Sequence, residues 1–466
     1  MTYTFDIEIH DSMLMAVQLS RHGARTGRGH DPFNVFQEED EITNTGRRQH
    51  YLMGTQMRER YVNQAHLISS NYNASEITIK TTNDNETIES ALSQMLGLYP
   101  PQYNKYNILD ENQTSFALPQ LNLSQSTLNS IQDSNALPFA LSPISMQVSN
   151  TNYDNFLQGK TCEFVKNEME NIKNSQDVYN YLDGKHSQTI WNLAQAIYRD
   201  PTIFKAQDAV KYIDSLYAKY IDQQKITPGM TSQMVHDMMV LYYDYLNQTV
   251  IRNPTVLKAL LTSSFNKIIY KFIKQIERDK GKNISKNDQH KLLIYIDHDD
   301  IILYYSNLLN HLLFHPMEVE YIPFASIIML ELHKFQDGKY YVNASINGEG
   351  VSLPGPCNDQ YYCEFDDFQE LARRNSYYDN SGGYERLCGI SLENKYTSKI
   401  SNWNESYKYA TGILRKKVNP YLRVLELYTV LMLIIILAWI IYSNLKGRDQ
   451  PVNPYHPVDR NNVEMT

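Results

Sequence analysis

Two short apolar segments of this chain are each followed by a polar motif that contains a histidine. The first segment, residues 13–19, leads into RHGAR at residues 21–25, and the second, residues 292–296, leads into HD at residues 298–299. Apolar runs of this length are typical of buried strands. In open α/β sheets, functional side chains collect beyond the carboxyl ends of the strands. The two motifs therefore predict an α/β fold that gathers them at one edge of a sheet.

The residue types in these motifs are suited to binding and transferring a phosphoryl group. Arg21 and Arg25 each carry a planar fork of donors that matches phosphoryl oxygens. His22 offers a ring nitrogen that can act as a nucleophile, and Asp299 can protonate a leaving group. A basic surface loop is the alternative for residues 21–25 alone, because short motifs match by chance. The pair of motifs favours the phosphoryl interpretation.

The order of the motifs resembles the histidine acid phosphatases. This branch of the histidine phosphatase superfamily includes lysosomal and prostatic acid phosphatases and phytases. The resemblance runs over most of residues 13–390. Its further landmarks are EITNTGRRQHYLMG at 41–54, IKTTNDNET at 79–87, GLYPP at 97–101, PFAS at 323–326 and LPGPC at 353–357.

The resemblance implies an acid phosphatase that hydrolyses phosphate monoesters through a phosphohistidine intermediate. His22 would be the nucleophile, and Asp299 would be the general acid that protonates the leaving alcohol. The groups that would bind the phosphoryl oxygens are Arg21, Arg25, Lys80 and His298. Small phosphomonoesters are the expected partners, and a homodimer is expected because family members often dimerise. No cofactor is implied, and we predict no metal, because the histidines lack the clustered spacing of a zinc site.

Some positions depart from the family pattern. Lys80 stands where the family has a third phosphate-binding arginine, and it keeps the charge without the bidentate geometry. Glu86 puts a negative charge where the family has a positive one, and Gly27 replaces a proline. The alternative function is therefore a catalytically weakened or inactive membrane glycoprotein with the phosphatase fold and a binding role.

The charge of the chain bears on two other functions. The net charge is −9, without a basic tract, so nucleic acid is not an expected partner. A phytase-like preference for inositol phosphates is a narrower alternative to a general phosphatase. That preference would call for a strongly basic cleft, of which the acidic balance gives no sign.

Strand-like and helix-like patterns alternate along the chain. They predict an α/β fold with a mainly parallel, doubly wound sheet and flanking helices. Residues 1–100 and 261–390 would form the α/β core. Residues 101–260 are rich in helical patterns and would form an inserted, mainly α cap. Residues 391–424 are interpreted as a stalk.

Individual elements can be predicted from periodicity and from turn signals. Residues 325–332 and 339–346 are expected to pair as a hairpin across the dipeptide Asp337-Gly338. Helical spacing of apolar residues predicts six helices. These span residues 45–61, 86–98, 188–198, 232–245, 264–278 and 300–313.

An apolar run at residues 427–442 predicts one transmembrane helix over residues 425–443. Its 16 uninterrupted residues are near the lower limit of about 17 for a spanning helix, and a buried core helix is the alternative. Residues 444–466 would form a cytoplasmic tail, in which Tyr455 and Val458 match a tyrosine-based sorting signal. The flanking cations favour the opposite orientation by the positive-inside rule. We give more weight to the glycosylation sequons and the cysteines, which favour a lumenal or extracellular catalytic domain.

Eight Asn-x-Ser/Thr sequons precede the apolar run, which is the pattern of a glycosylated ectodomain. Asn85 lies in the suspected active-site segment and is left out of the predicted set. Glycosylation is predicted at Asn73, Asn112, Asn122, Asn247, Asn283, Asn343 and Asn404.

Four cysteines are consistent with two disulfides in an oxidising compartment. The sequence allows three pairings, and four buried free thiols are the alternative. The resemblance favours Cys357–Cys363 and Cys162–Cys388. Residues 1–12 lack a signal peptide. The expected protein is nevertheless a single-pass type I membrane protein of lysosomes, endosomes or the cell surface.

Overall fold

A computed structural model of the protein describes residues 12–389 with internal gaps. The gaps are residues 29, 31, 33–39, 102–107, 114–115, 130–134, 138, 140, 150–161, 223–229, 310–320 and 378–382. The predicted stalk, transmembrane helix and tail, with Asn404, Tyr455 and Val458, lie outside the described residues. Within the described ranges, no helix combines the length and the apolar character needed to cross a membrane.

The described strands form one eight-stranded sheet in the order β3-β2-β4-β1-β5-β6-β7, and β8 also pairs with β6. The strands are β1 (Ser12–Arg21), β2 (Ile77–Thr81), β3 (Gln147–Val148), β4 (Leu292–Asp297), β5 (Ile327–Lys334), β6 (Tyr340–Ile346), β7 (Glu349–Val351) and β8 (Tyr362–Glu364).

The prediction of a mainly parallel sheet was wrong, because the sheet is mixed. The pairs among β1, β2, β3 and β4 are parallel. The pairs that involve β5, β6, β7 and β8 are antiparallel. Short connections, such as the predicted turn at Asp337-Gly338 between β5 and β6, can only join antiparallel neighbours. The α/β class and the hairpin are confirmed.

Helices cover the sheet and fill most of the segment at residues 101–260, which is called the insertion below. They are α1 (Asn44–Met57), α2 (Asn85–Leu98), α3 (Gln125–Asn129), α4 (Glu163–Lys173), α5 (Gln176–Lys185), α6 (Ser187–Ala196), α7 (Ala206–Ile221), α8 (Ser232–Ile251), α9 (Pro254–Asp279), α10 (Asp299–Leu308), α11 (Phe365–Asn375) and α12 (Gly383–Leu387). A π-helical segment, Arg58–Gln64, continues α1, and 3₁₀ turns lie at Glu111–Gln113, Lys286–Asp288 and Gly355–Cys357.

The central strands β1 and β4 are buried on both faces. On one face, Leu19 and Tyr295 pack in a core with Phe265 of α9. On the other face, Ile294 packs in a second core with Met95 of α2. Burying a side chain of this size contributes about 1.5–3 kcal/mol. The two layers of helices therefore hold the carboxyl ends of β1 and β4 in fixed positions.

A third core lies within helices α5 to α8 of the insertion. It includes Leu182, Ile213 and Leu241. Ala24, from the RHGAR loop, and Phe324, from the segment before β5, belong to the same core. Apolar packing therefore joins the insertion directly to the loop that carries the first motif.

Two disulfides join distant and local segments. Cys162, the N-cap residue of α4, is bonded to Cys388, which follows α12, and Cys357 is bonded to Cys363. These are the pairs that the family resemblance implied. The first closes a loop of 226 residues. In the chain-entropy account of disulfide stabilisation, the cross-link of a long loop removes the most freedom from the unfolded chain.

Candidate active site

Parallel pairing of β1 and β4 brings the two predicted motifs together. Arg21 is the register partner of Asp297, so His22 and His298 follow on neighbouring strands. The His22 amide donates a hydrogen bond of 2.9 Å to the Asp297 carbonyl. The ring centroids of the two histidines lie 5.2 Å apart.

Side chains of α1 and α2 hold the backbone of the RHGAR loop. The Gly23 amide donates to Ser90 Oγ at 2.9 Å, and the Ala24 amide donates to Gln49 Oε1 at 2.9 Å. His50 Nε2 donates to the Arg21 carbonyl at 3.1 Å. Burial lowers the pKa of His50 to about 4, so its ring is neutral. Three hydrogen bonds from α1 and α2 therefore fix the backbone of the loop.

His22 has the geometry and the charge state of a nucleophile. Its Nδ1 lies 2.8 Å from the Gly23 carbonyl oxygen, and because a carbonyl can only accept, Nδ1 carries the proton. Nε2 is left with its lone pair. Burial, followed by the positive charges of Arg25, His298 and Arg21, holds the pKa of His22 well below its ordinary value. The lowered pKa therefore favours the neutral ring, which is the form that can attack phosphorus.

Arg21 links the nucleophile to the predicted general acid. Its guanidinium is 2% exposed and lies 4.4 Å from the centre of the Phe324 ring. Nη1 donates to the Ile322 carbonyl at 2.5 Å, and Nη2 is 3.5 Å from Asp299 Oδ2. Asp299 occupies the first turn of α10 and is 19% exposed. The structure thus brings together the predicted nucleophile, general acid and first phosphate-binding arginine.

Arg25 is close to His22 but is already paired. Its Nη1 and Nη2 donate to the two carboxylate oxygens of Asp214 at 2.9 and 3.0 Å. Asp214 belongs to α7 of the insertion. Burial alone would raise the pKa of Asp214, but the ion pair with Arg25 outweighs burial and lowers it. In this structure the predicted phosphate ligand Arg25 also fastens the insertion to the active-site loop.

A carboxylate that the sequence did not reveal favours the protonated form of His298. Its Nε2 lies 2.9 Å from Asp84 Oδ2, at the N-cap of α2. Burial would lower the pKa of His298, but the hydrogen bond to Asp84 and the charges of Asp297 and Glu86 raise it. The same hydrogen bond lowers the pKa of Asp84 to about 2. A charged imidazole at this position can donate to an anion.

Arg28 and Glu86 form a second unpredicted contact. Glu86 is 1% exposed, and Arg28 Nη2 donates to its Oε1 at 2.9 Å. Arg28 Nε also donates to Asp40 Oδ1 at 2.6 Å. Burial raises the pKa of Glu86, while nearby cations oppose this effect. The unusual carboxylate at Glu86 was the signal in the sequence for this ion pair. A buried carboxylate needs a cation, and Arg28 lies three residues after the RHGAR motif.

His22, Glu86 and His298 also form a cluster that could hold a metal ion. One ligand atom from each side chain lies within 4.8 Å of the other two. Among the described residues, no other group of at least three histidine, cysteine or acidic side chains is this compact. The predicted absence of a metal rested on spacing along the sequence. Spacing could not reveal the three ligands, because they lie just after β1, in α2 and at the β4–α10 junction.

The structure also gives the burial of Lys80 and of the predicted glycosylation sites. Lys80 is half-buried on β2, in register with Tyr295 of β4, and its role in phosphate binding stays a prediction.

The exposed sequon asparagines are Asn73, Asn112, Asn122 and Asn283, and Asn343 is half-buried. Asn247 is 3% exposed and accepts a hydrogen bond of 2.8 Å from Asn307, which leaves no room for a glycan in the folded protein.

Comparison with known proteins identifies the family. Residues 30–347 match the histidine phosphatase superfamily (branch 2), and the chain belongs to that family. It is 23% identical over 374 residues to lysosomal acid phosphatase of Rattus norvegicus, a match that covers 77% of each chain. It is 21% identical over 338 residues to counting factor 60 of Dictyostelium discoideum, covering 72% of this chain and 68% of the relative.

Solved structures agree on the fold. The apo form of Hafnia alvei phytase aligns with a TM-score of 0.55 at 16% identity, covering 78% of this chain and 97% of the phytase. At this identity the likeness supports the fold alone. With the family and the site geometry, the chain is a phosphomonoesterase of the histidine acid phosphatase type.

Proposed function

We propose that the protein hydrolyses phosphate monoesters through a covalent phosphohistidine on His22. The observation that carries the proposal is the neutral, buried ring of His22, whose Nδ1 is bonded to the Gly23 carbonyl and whose Nε2 keeps its lone pair. Arg21 and His298 lie beside it, and the pKa of His298 is raised. Phosphoryl transfer needs little beyond positioning and stabilisation of spread negative charge.

The reaction has two displacements. In the first, the lone pair of His22 Nε2 forms a bond to phosphorus, the bond from phosphorus to the alcohol oxygen breaks, and Asp299 gives that oxygen its proton. In the second, the oxygen of a water molecule attacks phosphorus, and the water gives a proton to Asp299. The N–P bond breaks, and its electron pair returns to Nε2. Arg21, at 3.5 Å from Asp299, can contact both the phosphoryl oxygens and the acid.

The test compares purified full-length protein in detergent with the variants His22→Ala and Asp299→Asn on a generic aryl phosphate at acidic pH. We expect His22→Ala to abolish turnover and Asp299→Asn to slow it by 10² or more. His290→Ala is the matched control, because this half-buried histidine lies just before β4, at the end away from His298. Turnover that survives in His22→Ala would contradict the mechanism.

Two observations favour the second candidate, a weakened enzyme or a phosphate-binding glycoprotein. The fork of Arg25 is committed to Asp214, and Glu86 adds a buried carboxylate beside His298. This candidate predicts binding of tungstate or phosphate with little or no turnover. Absence of both binding and turnover would contradict both candidates.

We also propose that the catalytic domain is lumenal or extracellular and is anchored by residues 425–443. Both disulfides and four exposed sequon asparagines support an oxidising, glycosylating compartment. The related lysosomal acid phosphatases support a lysosomal or secretory route. Glycosidase treatment and protease protection of membrane vesicles test this proposal. Unglycosylated protein whose catalytic domain is digested from the cytoplasmic side would contradict it. The oligomeric state, for which we propose a homodimer, can be measured by light scattering.

A further inference from the structure

The cluster of His22, Glu86 and His298 has the composition and the spacing of a transition-metal site. His298 Nδ1 lies 3.9 Å from Glu86 Oε1, too far for a hydrogen bond between them. Zinc binds nitrogen and oxygen at about 2.0–2.2 Å in a tetrahedron, so two of its ligands lie about 3.4 Å apart. All three ligand atoms already fall within 4.8 Å of one another. Small side-chain movements would complete the coordination.

The groups behind the two histidines orient them for coordination. Asp84 accepts from Nε2 of His298 at 2.9 Å, and the Gly23 carbonyl accepts from Nδ1 of His22 at 2.8 Å. Metal-bound histidines usually donate their second ring N–H to a carboxylate or a backbone carbonyl in this way. Nδ1 of His298 and Nε2 of His22 are left as ligands. Two different segments of the chain thus supply the same kind of support.

The third ligand departs from the pattern of the family to which the chain belongs. Glu86 stands where the family pattern has a basic residue, and its carboxylate offsets part of the positive charge of Arg21 and Arg25 beside His22. Glu86 is 1% exposed and lies in the first turn of α2, two residues after Asp84. With Asp84, it places two carboxylates around His298, while Arg28 balances one charge by donating to Glu86 at 2.9 Å. Two imidazoles and a carboxylate are a ligand set that zinc prefers.

We propose that His22, Glu86 and His298 bind one divalent zinc ion, and that this ion inhibits the phosphatase. Binding of zinc takes the lone pair of His22 Nε2, which the proposed reaction needs for its attack on phosphorus. It also requires His298 to lose the proton with which it would donate to the substrate. The inhibition rests on the proposed function, whereas the metal site does not.

The site is tested by zinc binding. Full-length protein in detergent is titrated with Zn²⁺ at pH 7 against a chromophoric chelator. We expect one zinc per chain in the wild type and affinity reduced by tenfold or more in Glu86→Gln, since loss even of a supporting group costs 10- to 100-fold. Glu89→Gln, on the same helix and paired with Arg47 at the surface, is the matched control and should bind as the wild type does. Equal affinity in the wild type and Glu86→Gln would overturn the site.

A second variant and an activity assay complete the test. If Glu86→Gln fails to fold, Asp84→Asn provides the second test. It removes the carboxylate that supports His298 and should also reduce zinc affinity. In the aryl phosphate assay, zinc should inhibit the wild type, and EDTA should restore its activity. Glu86→Gln should resist inhibition by zinc. Activation by zinc would overturn the inhibitory role. A chain that binds zinc through Glu86 but has no turnover would keep the site and refute the phosphatase proposal instead.

Discussion

Replacing Asp84 with asparagine tests whether Asp84 raises the pKa of His298. Asp84 Oδ2 lies 2.9 Å from His298 Nε2, and the contact lowers the pKa of Asp84 from the ordinary 3.8 to about 2. That change corresponds to at most about 2.4 kcal/mol of favourable interaction. The Asp84 side chain is 34% exposed, so solvent screening reduces the contribution to about 1 kcal/mol.

The direction of the pH effect follows from the two pKa changes. The pKa of Asp84 is lowered, so its stabilising contribution is present above the ordinary 3.8 and is lost as the pH falls through about 2. The pKa of His298 is raised, so its contribution is present below the ordinary 6.5 and is lost as the pH rises through the raised value. Asp84→Asn removes the partner that raises the pKa of His298. The alkaline limb of activity should therefore shift to lower pH.

The assay is the pH profile of kcat/KM on an aryl phosphate, with urea unfolding at pH 5 as the measure of stability. Asp84→Asn should lose about 1 kcal/mol of unfolding free energy, and its activity relative to the wild type should fall as the pH rises towards neutrality. Asp177→Asn, an exposed aspartate of α5, is the control. A profile that overlays the wild type, or an equal loss of activity at every pH, would refute the role given to Asp84.

Three further predictions concern the loop and the cores. Gly23→Ala would place a Cβ 2.5 Å from a backbone oxygen of α1, and the displaced loop should lower kcat by about 10². Gly184→Ala meets nothing within 4 Å and should leave kcat unchanged. Cys388→Ser should lower the unfolding free energy by about 2–5 kcal/mol, and an unchanged Tm would contradict this. Phe265→Ala, at a fully buried position, should cost about 3–5 kcal/mol in urea unfolding. A loss below 1 kcal/mol would show that Phe265 contributes little to the core.

Local signals in the sequence predicted much of the fold. The apolar runs before the two motifs became β1 and β4, and the dipeptide Asp337-Gly338 became the turn of a hairpin. The helix predicted over residues 86–98 is α2, Asn85–Leu98. Periodicity and turn chemistry act over a few residues, so one sequence displays them directly.

Element boundaries were predicted less well where a cap was overlooked. The helix predicted over residues 264–278 is α9, Pro254–Asp279. It begins ten residues earlier, because Asn253 caps the Thr255 amide and Pro254 occupies the first turn. The helix predicted over residues 300–313 is described only as Asp299–Leu308.

The partners of the catalytic groups could not be predicted from the sequence. Asp214 pairs with Arg25 across 189 positions, and Asp84 pairs with His298 across 214. Asp214 lies outside the motifs, and Asp84 lies within the segment at residues 79–87 without a predicted role. Each aspartate gains its role only when the tertiary fold brings it to the site. The residue types allowed the roles of His22 and Asp299 to be predicted. The ion pairs around them depend on the packing of α2 and α7, which the sequence does not display.

The covalent intermediate is the most direct test of the account. Full-length protein is mixed with an aryl phosphate, stopped within milliseconds in alkaline denaturant, which preserves phosphohistidine, and digested for mass spectrometry. We expect phosphorylation at a single site, His22. The amount of phosphohistidine should rise in Asp299→Asn if dephosphorylation is the slower step of that variant, and it should be absent in His22→Ala. Turnover without any phosphorylated histidine, or a phosphoryl group on another residue, would contradict it.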